Sequence, residues 1–356
     1  MSDLTHTLQQ QVQEAFQHQT PLRITGGGSR PFLPQAVAST TLDCGGHQGI
    51  LAYHPEELVI TVRGGTTLEE INQRLKQQGQ RLAFDPPQFS ADSTIAGTVA
   101  TAAAGPSRPW SGGVRDHLLG VKLLNGEGRI LHFGGEVVKN VAGYDLFRPM
   151  AGAYGTLGVL LELSLKTLPL ESAHRYWQLE CSHTDALTMM QQLNRLTLPC
   201  SGLSWYDNTL HLRLSGQAAE LDHYTNRLQE IGLSLEATSS FWQPLRDQQL
   251  PLFDHEPLWR LSLPADTPTP TPLQGLEPSQ QLIDWGGSQR WIAGDLPVET
   301  LRESITASGG HAMLFRGALD GTPRFHPLTA SLQPLQQRLK QLMDPAQILN
   351  SGLMEQ

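Results

Sequence analysis

Four groups of residues in this 356-residue sequence have the make-up to do chemistry, and all are built on small residues. The first is Thr25-Gly26-Gly27-Gly28-Ser29-Arg30. Three glycines admit positive φ, so successive N–H groups can turn towards one point and form a nest for phosphate oxygens, with Ser29 as a hydroxyl donor. The same run also suits a plain tight turn, and it is neither a G-x-G-x-x-G fingerprint nor a P-loop. The second group is Asp85-Pro86-Pro87, followed by Asp92-Ser93-Thr94-Ile95-Ala96-Gly97-Thr98-Val99-Ala100-Thr101. Prolines fix an extended entry, Ser93 and Thr94 supply hydroxyls, and Ala96 and Gly97 leave the backbone open. A helix starting there would aim free amides and a partial positive charge at a pyrophosphate, although its small residues equally suit close packing. The third group is Trp110-Ser111-Gly112-Gly113-Val114-Arg115-Asp116. The fourth is Lys139-Asn140-Val141-Ala142-Gly143-Tyr144-Asp145-Leu146 with Gly155-Thr156-Leu157-Gly158-Val159, where a flat ring could lie on the backbone. Arg115, Lys139 and Tyr144 are also compatible with ordinary surface positions.

The elements that must carry these groups follow from periodicity. Leu4–Gln17 reads as an amphipathic helix and Pro21–Ile24 as a short strand feeding the glycine loop. Gly49–Tyr53 and Leu58–Val62 read as strands. Thr66 or Thr67 caps a helix that runs to Gln78 and stops at Gly79. Leu118–Leu124 and Arg129–Phe133 form a hairpin about Asn125-Gly126, and Leu157–Leu168 is a further strand. Beyond residue 170 the spacing predicts strand 175–181, helix 183–195, strands 203–206 and 210–214, helix 218–231 and strand 233–238, the β-α-β-β-α-β order of a ferredoxin-like unit. Strands are expected at 258–263, 281–285, 290–293 and 311–315, with helices at 298–308 and 328–343. The Pro/Thr stretch 264–272 between the first two of these strands is expected to be an extended, solvated loop or linker.

Composition divides the chain near 168–172. Residues 1–170 hold 22 of the 34 glycines and carry 13 basic and 14 acidic residues, whereas residues 171–356 carry 12 and 20. The overall charge of −9 argues against a nucleic-acid binder, which would show a basic stripe. No apolar run approaches the ~20 residues that cross a bilayer. The Gln-rich N-terminus lacks the features of a secretory signal, so a cytosolic setting is expected. Cys44, Cys181 and Cys200 are far apart, which disfavours disulfides and cannot supply four ligands to an iron–sulfur cluster.

The order of the glycine-rich groups over residues 20–170 resembles the FAD-binding domain of the vanillyl-alcohol-oxidase / p-cresol-methylhydroxylase (PCMH-type) family. Lys139–Leu146 and the C-terminal Asp344-Pro-Ala-Gln-Ile-Leu-Asn-Ser-Gly352 resemble its 2-hydroxy-acid dehydrogenase branch, which includes the FAD-linked subunits of bacterial glycolate oxidases. The resemblance implies an α+β fold: a PCMH-type FAD-binding domain of two α+β subdomains over residues 1–170, then a reduced ferredoxin-like α+β substrate or docking domain over 171–327. A C-terminal helix and tail, 328–356, would return to the FAD domain. It implies that Gly26, Gly27, Gly28 and Ser29 hold the FAD pyrophosphate together with Ser93, Thr94 and Gly97. Asp85 and Pro86 would lie near the flavin, Gly155, Thr156, Gly158 and Val159 beside the adenosine or isoalloxazine, and Asn350 on the flavin side.

Departures from the family pattern refine this expectation. Ser29-Arg30 stands where covalent flavoproteins of the family often place a histidine, which implies non-covalent FAD, and Ala96 stands where a second glycine is common. The histidine clusters of catalytic members are absent: His174, His183, His211, His223, His255, His311 and His326 are isolated in sequence, without metal-ligand spacing. His311, within Gly309-Gly310-His311, has the most active-site character, and Arg316 and Arg324 are candidate carboxylate clamps. No catalytic base is assigned. The short second half matches the smaller FAD-binding subunits, which work beside a larger catalytic flavoprotein subunit and an iron–sulfur subunit. The expected function is FAD-dependent oxidation of glycolate, or a related 2-hydroxy acid, to the 2-oxo acid, with any membrane association peripheral and through partners. Alternatives are a stand-alone FAD oxidoreductase and a structural flavoprotein subunit; a reductase of the UDP-N-acetylmuramate type is disfavoured by residues 141–146 and 348–352.

Overall fold

A computed structural model describes residues 2–29, 40–135 and 145–354. Arg30 and the Lys139–Tyr144 part of the fourth group lie outside the described residues. The chain forms two compact units: residues 1–104, 112–170 and 327–356 make the first, and 105–111 with 171–326 make the second.

The first unit begins with helix α1 (Thr5–His18), which buries Leu8, Val12 and Ala15 at i, i+4, i+7 and ends on a left-handed Gln19. Strand β1 (Leu22–Thr25) pairs in parallel with β2 (Thr40–Asp43). An antiparallel sheet follows, made of β3 (Ile50–His54), β4 (Val59–Arg63), β5 (Gln80–Leu82), β6 (Leu118–Leu124), β7 (Ile130–Gly134) and β8 (Val159–Pro169). Its order is β3-β4-β8-β6-β7, with β5 pairing the far end of β8. Helix α2 (Leu68–Lys76) starts where the Thr67 hydroxyl accepts the Glu70 N–H, and places Glu69 and Glu70 in its first turn and Arg74 and Lys76 in its last. Helix α3 (Ile95–Ala100), the single turn α5 (Val114–His117) and then the β6–β7 hairpin complete its chain order, while the single turn α4 (Arg108–Ser111) between α3 and α5 belongs to the second unit. One core packs α2 and α3 on the sheet through Ile71, Leu75, Val99 and Leu163, and a second packs α1 on Leu22, Leu42, Leu161 and Leu349.

The second unit is one eight-stranded sheet. Strand β9 (Ala173–Glu180), helix α6 (His183–Asn194), strands β10 (Cys200–Tyr206) and β11 (Thr209–Gly216), helices α7 (Ala218–His223) and α8 (Thr225–Glu230), and strand β12 (Ser234–Glu236) follow the expected order. The helix expected over 218–231 is split at Tyr224. The left-handed pair Asp207-Asn208 closes the β10–β11 hairpin, the conformation that turn requires. Beyond the short helix α9 (Trp242–Arg246) come β13 (Leu258–Ser262), β14 (Gln281–Asp284), β15 (Gln289–Ala293), helix α10 (Val298–Ala307) and β16 (His311–Arg316). Across the sheet the order is β12-β9-β11-β10-β14-β15-β13-β16. Its first four strands have the fourth-first-third-second arrangement of a ferredoxin-like unit, and the last four repeat it in mirror order outward from the centre.

That repeat sharpens the reading of residues 264–272. Because β13 and β14 both run antiparallel to β15, they are parallel to each other, and the Pro/Thr segment is the crossover that joins them, where α6 joins β9 to β10. It is extended but not a free linker. Arg290 donates to the carbonyls of Thr267 and Pro268, Gln191 reaches the Asp266 carbonyl, Thr269 meets His183 Nδ1, and Leu273 is buried against Leu301 and Ile305. A proline-rich crossover cannot close its own hydrogen bonds as a helix does, so side chains of the sheet and of α6 satisfy its carbonyls. Helix α11 (Gln333–Met343) closes the chain and belongs to the first unit; it starts five residues later than expected.

Candidate functional site

The glycine loop follows β1, whose four residues hold it at the end of a parallel pair. Among the described residues, the backbone N–H groups of Gly26, Gly27, Gly28 and Ser29 have no acceptor within the chain. Gly28 is left-handed, with φ +64°. Four consecutive free amides with such a turn among them form an anion nest, and they open into a cavity of about 370 Å³. Two of its glycines have no room for a side chain. A Cβ on Gly27 would stand 1.7 Å from the Asp92 carbonyl oxygen, and one on Gly26 would stand 2.5 Å from Thr94 Oγ1.

Ser93, Thr94 and Gly97 line the same cavity, but their chemistry differs from the expectation. Ile95 N–H donates to the Thr66 carbonyl, Ala96 N–H to the Gly64 carbonyl, and Gly97 N–H to Thr94 Oγ1. The start of α3 is therefore already hydrogen-bonded inside the chain, and the free amides expected there belong to the glycine loop instead. Ser93 Oγ accepts the Ser90 N–H, and the Ser93 carbonyl accepts Leu68 N–H. These bonds fix a wall of small residues that also includes Ala96, Thr98 and Thr101, whose two hydroxyls donate to helix carbonyls.

Gly155, Gly158 and Val159 also line the cavity, where the chain enters β8 after left-handed Tyr154 and Gly155. Asn350 returns from the C-terminus to the cavity. Its Oδ1 accepts Ile24 N–H at 2.8 Å, and its Nδ2 donates to the Tyr154 carbonyl at 2.7 Å. Asp85, Pro86 and Thr156 are not among the lining residues. Asp85 is left-handed and Pro86 buried, whereas Thr156 donates to the Ala153 carbonyl and offers its own carbonyl to Lys340. In the third group, Asp116 accepts Gly113 N–H, closing a turn outside the cavity.

Residues that sequence reasoning left unassigned also form the wall. Gly64 and Gly65 admit no Cβ, because one would stand 2.4 Å from the Leu160 carbonyl oxygen and the other 2.5 Å from that of Cys44. The Gly-Gly doublet directly after a β-branched strand was the available signal. Arg23, Leu160 and Leu353 carried none. Burial pushes the Cys44 thiol up to about 12, so at neutral pH it is an inert wall residue.

The second unit uses its candidate groups structurally. Arg324 donates to the carbonyls of Leu314, Phe315 and Gly317, and Arg316 to that of Phe253. Neither presents the open fork that a carboxylate clamp needs. His311 is the first residue of the otherwise mostly buried strand β16; desolvation of the ring first, then Arg260 and His326, lowers its pKa. Among the described residues no group of three His, Cys, Asp or Glu could hold a metal ion, and no helix is long and apolar enough to cross a membrane.

Comparison with known proteins agrees with this geometry. A family model described as an FAD binding domain matches residues 5–134, which includes the glycine loop and α3 but not the wall from Tyr154 to Leu160 or Asn350. The glycolate oxidase subunit GlcE of Escherichia coli is 43% identical over 353 residues, 99% of this chain and 97% of that one. The D-lactate dehydrogenase of Anaerostipes hadrus is 34% identical over 120 residues, 34% of this chain and 25% of that one. The glycolate oxidase subunit GlcD of Bacillus subtilis is 32% identical over a stretch of the same length, again 25% of its own. A solved alkyldihydroxyacetonephosphate synthase superposes with a TM-score of 0.66 at 16% identity, covering 98% of this chain and 74% of that one, which shows the shared fold. Likeness along the whole chain to one protein, together with the FAD binding domain matched over residues 5–134, places the chain in the family of the FAD-binding glycolate oxidase subunit GlcE.

Proposed function

We propose that this chain is the FAD-carrying subunit of a multi-subunit glycolate oxidase, working beside a larger flavoprotein subunit and an iron–sulfur subunit that carries electrons onward. The carrying observation is the nest of four free amides, walled by glycines that admit no Cβ, in a chain alike to GlcE from end to end. When bound, FAD supplies the redox chemistry, taking up the two electrons released as a 2-hydroxy acid becomes a 2-oxo acid. The protein's share is binding and orientation. Gly26–Ser29 would donate to the pyrophosphate oxygens, with Ser93, Thr94 and Gly97 fixing the facing wall. Gly155, Gly158 and Val159 let a flat group lie against bare backbone. Asp85, Pro86 and Thr156 would act from behind the wall.

The test starts with the purified full chain and its visible spectrum after titration with FAD; a protein that stays colourless loses the cofactor site. Anaerobic glycolate is then added with and without the co-expressed partner subunits. Bleaching only in their presence supports the subunit reading, bleaching of the isolated chain supports a stand-alone oxidoreductase, and complex activity that survives loss of this flavin supports a structural subunit.

A further inference from the structure

The C-terminal segment does more than return to the cavity. Strand β1 is held on one side by β2 and on the other by residues 348–350: Leu22 N–H donates to the Ile348 carbonyl at 2.7 Å, and Asn350 N–H to the Leu22 carbonyl at 2.9 Å. At Asn350 the backbone turns left-handed, φ +43°, and leaves the ladder. The side chain takes over, accepting the Ile24 N–H that the departing backbone no longer reaches. The other end of the same carboxamide bonds the Tyr154 carbonyl. One planar group thus bridges the strand that feeds the amide nest and the turn that leads into Gly155, both of which line the cavity. A Cβ on Gly155 would stand 2.8 Å from Asn350 Nδ2, so the two walls are in close register there.

A buried ion pair anchors the segment. Lys340 Nζ donates to Asp344 Oδ2 at 2.6 Å, to the Thr156 carbonyl at 2.9 Å and to the Leu349 carbonyl at 3.1 Å. The Asp344 carboxylate also accepts the N–H groups of Ile348 and Leu349. Asp344 is fully buried, and a Cβ on Gly126 would strike it at 2.2 Å. Burying such a pair is costly unless every donor and acceptor is matched, as here, and its specific yield is geometry: it fixes the turn that delivers Asn350.

We propose that Asn350 is a positioning residue and that residues 340–350 form a latch on the cofactor cavity. The carboxamide sets the spacing of the two walls, and latch closure and FAD binding are coupled. This rests on the reading of the cavity as the FAD site. Coupling is reciprocal, so FAD tightens the latch as much as the latch tightens FAD.

The experiment uses the full chain as apoprotein, with wild type, Asn350→Ala, Asn350→Asp and Gly27→Val titrated with FAD. Hydrogen exchange is followed in peptides covering residues 20–26 and 345–354. Losing both carboxamide bonds should weaken FAD binding about 10- to 100-fold, and Asn350→Asp, which keeps the acceptor for Ile24 but opposes the Tyr154 carbonyl, by an intermediate factor. In wild type FAD should slow exchange in both peptides. In Asn350→Ala, saturated with FAD, the 345–354 peptide should exchange as in the apoprotein, and the visible circular dichroism of the bound flavin should change. Unaltered FAD affinity in folded Asn350→Ala, or FAD protection of 345–354 that persists there, overturns the latch. Should Asn350→Ala not fold, the same two criteria apply to Asn350→Asp. If Gly27→Val binds FAD like wild type, the cavity reading fails first, whatever Asn350 does.

Discussion

The two units use opposite materials. In the first, the candidate site is made of backbone: free amides at Gly26–Ser29, bare walls at Gly64, Gly65 and Gly155, and side chains such as Asn350 that act by holding backbone in place. In the second, the chemically versatile side chains hold the fold. Arg290 and Arg324 cap carbonyls, Arg213 lies over the ring of Trp242, and His211 stacks on Phe241 at 3.7 Å between centroids. Glycine content follows this division, and so does what a mutation should do. Adding atoms should damage the first unit through its ligand, whereas removing atoms should damage the second through its stability.

The strongest test of that contrast is Gly27→Ala. A Cβ 1.7 Å from a backbone carbonyl oxygen has no rotamer to escape through, so the loop or the Asp92 turn must move. FAD affinity should fall by at least about 100-fold, since several charge-assisted amide bonds lose their aim together. Titration by flavin fluorescence measures it. Near-wild-type affinity would show that the loop is a turn and not a nest.

Arg290→Ala should do the reverse. The guanidinium is almost wholly buried and satisfies two carbonyls of the Pro/Thr crossover, and its removal leaves both a void and unpaired acceptors. The expected loss is about 2–4 kcal/mol of second-unit stability, read by denaturant unfolding, with FAD affinity within twofold of wild type. A large change in affinity would break the division of roles.

How legible each unit was in the sequence follows from the range of the interactions. The capped helix α2, the Asn125-Gly126 hairpin and the β9–β12 half of the second sheet are local patterns, and the structure has them where spacing puts them. The glycine loop was legible as a place where amides are exposed. That Ile95 and Ala96 are not free was not legible, because their acceptors, Thr66 and Gly64, lie about thirty residues upstream. The β13–β16 repeat was hidden because its crossover is proline-rich, with no helical period to mark it. Asn350 was identified with the cavity by resemblance, but its bond to Ile24 spans 326 positions, and no spacing rule reports such a contact.

Acid should distinguish the units next. Burial holds His211 down at about 4, and burial together with the nearby Arg290 charge does the same for His183, so both are neutral in the fold. In the unfolded chain each binds a proton near pH 6.5. The unfolded state therefore binds more protons between about pH 6.5 and 4, and stability falls as pH drops through that window, by up to about 3 kcal/mol per histidine. Unfolding of the second unit followed against pH should show this slope, and His211→Phe should flatten part of it. A pH-independent second unit would mean that these rings are solvated.

The smallest effect comes from the neighbour of the largest. Gly28 has open space around its would-be Cβ, with nothing within 4 Å, but its φ of +64° is one that L-residues adopt at a cost. Alanine there should cost about 1 kcal/mol, and FAD affinity should fall about fivefold, because the amide can still be aimed once the strain is met. Asparagine, which tolerates left-handed backbone better, should recover part of that loss, whereas at Gly27 no residue with a Cβ should recover anything. Gly28→Ala and Gly28→Asn therefore separate conformational from steric demand within one loop. If alanine at 28 proved as damaging as alanine at 27, the ligand itself would have to fill the space beside Gly28, and the nest would be closer-fitting than bare amides require.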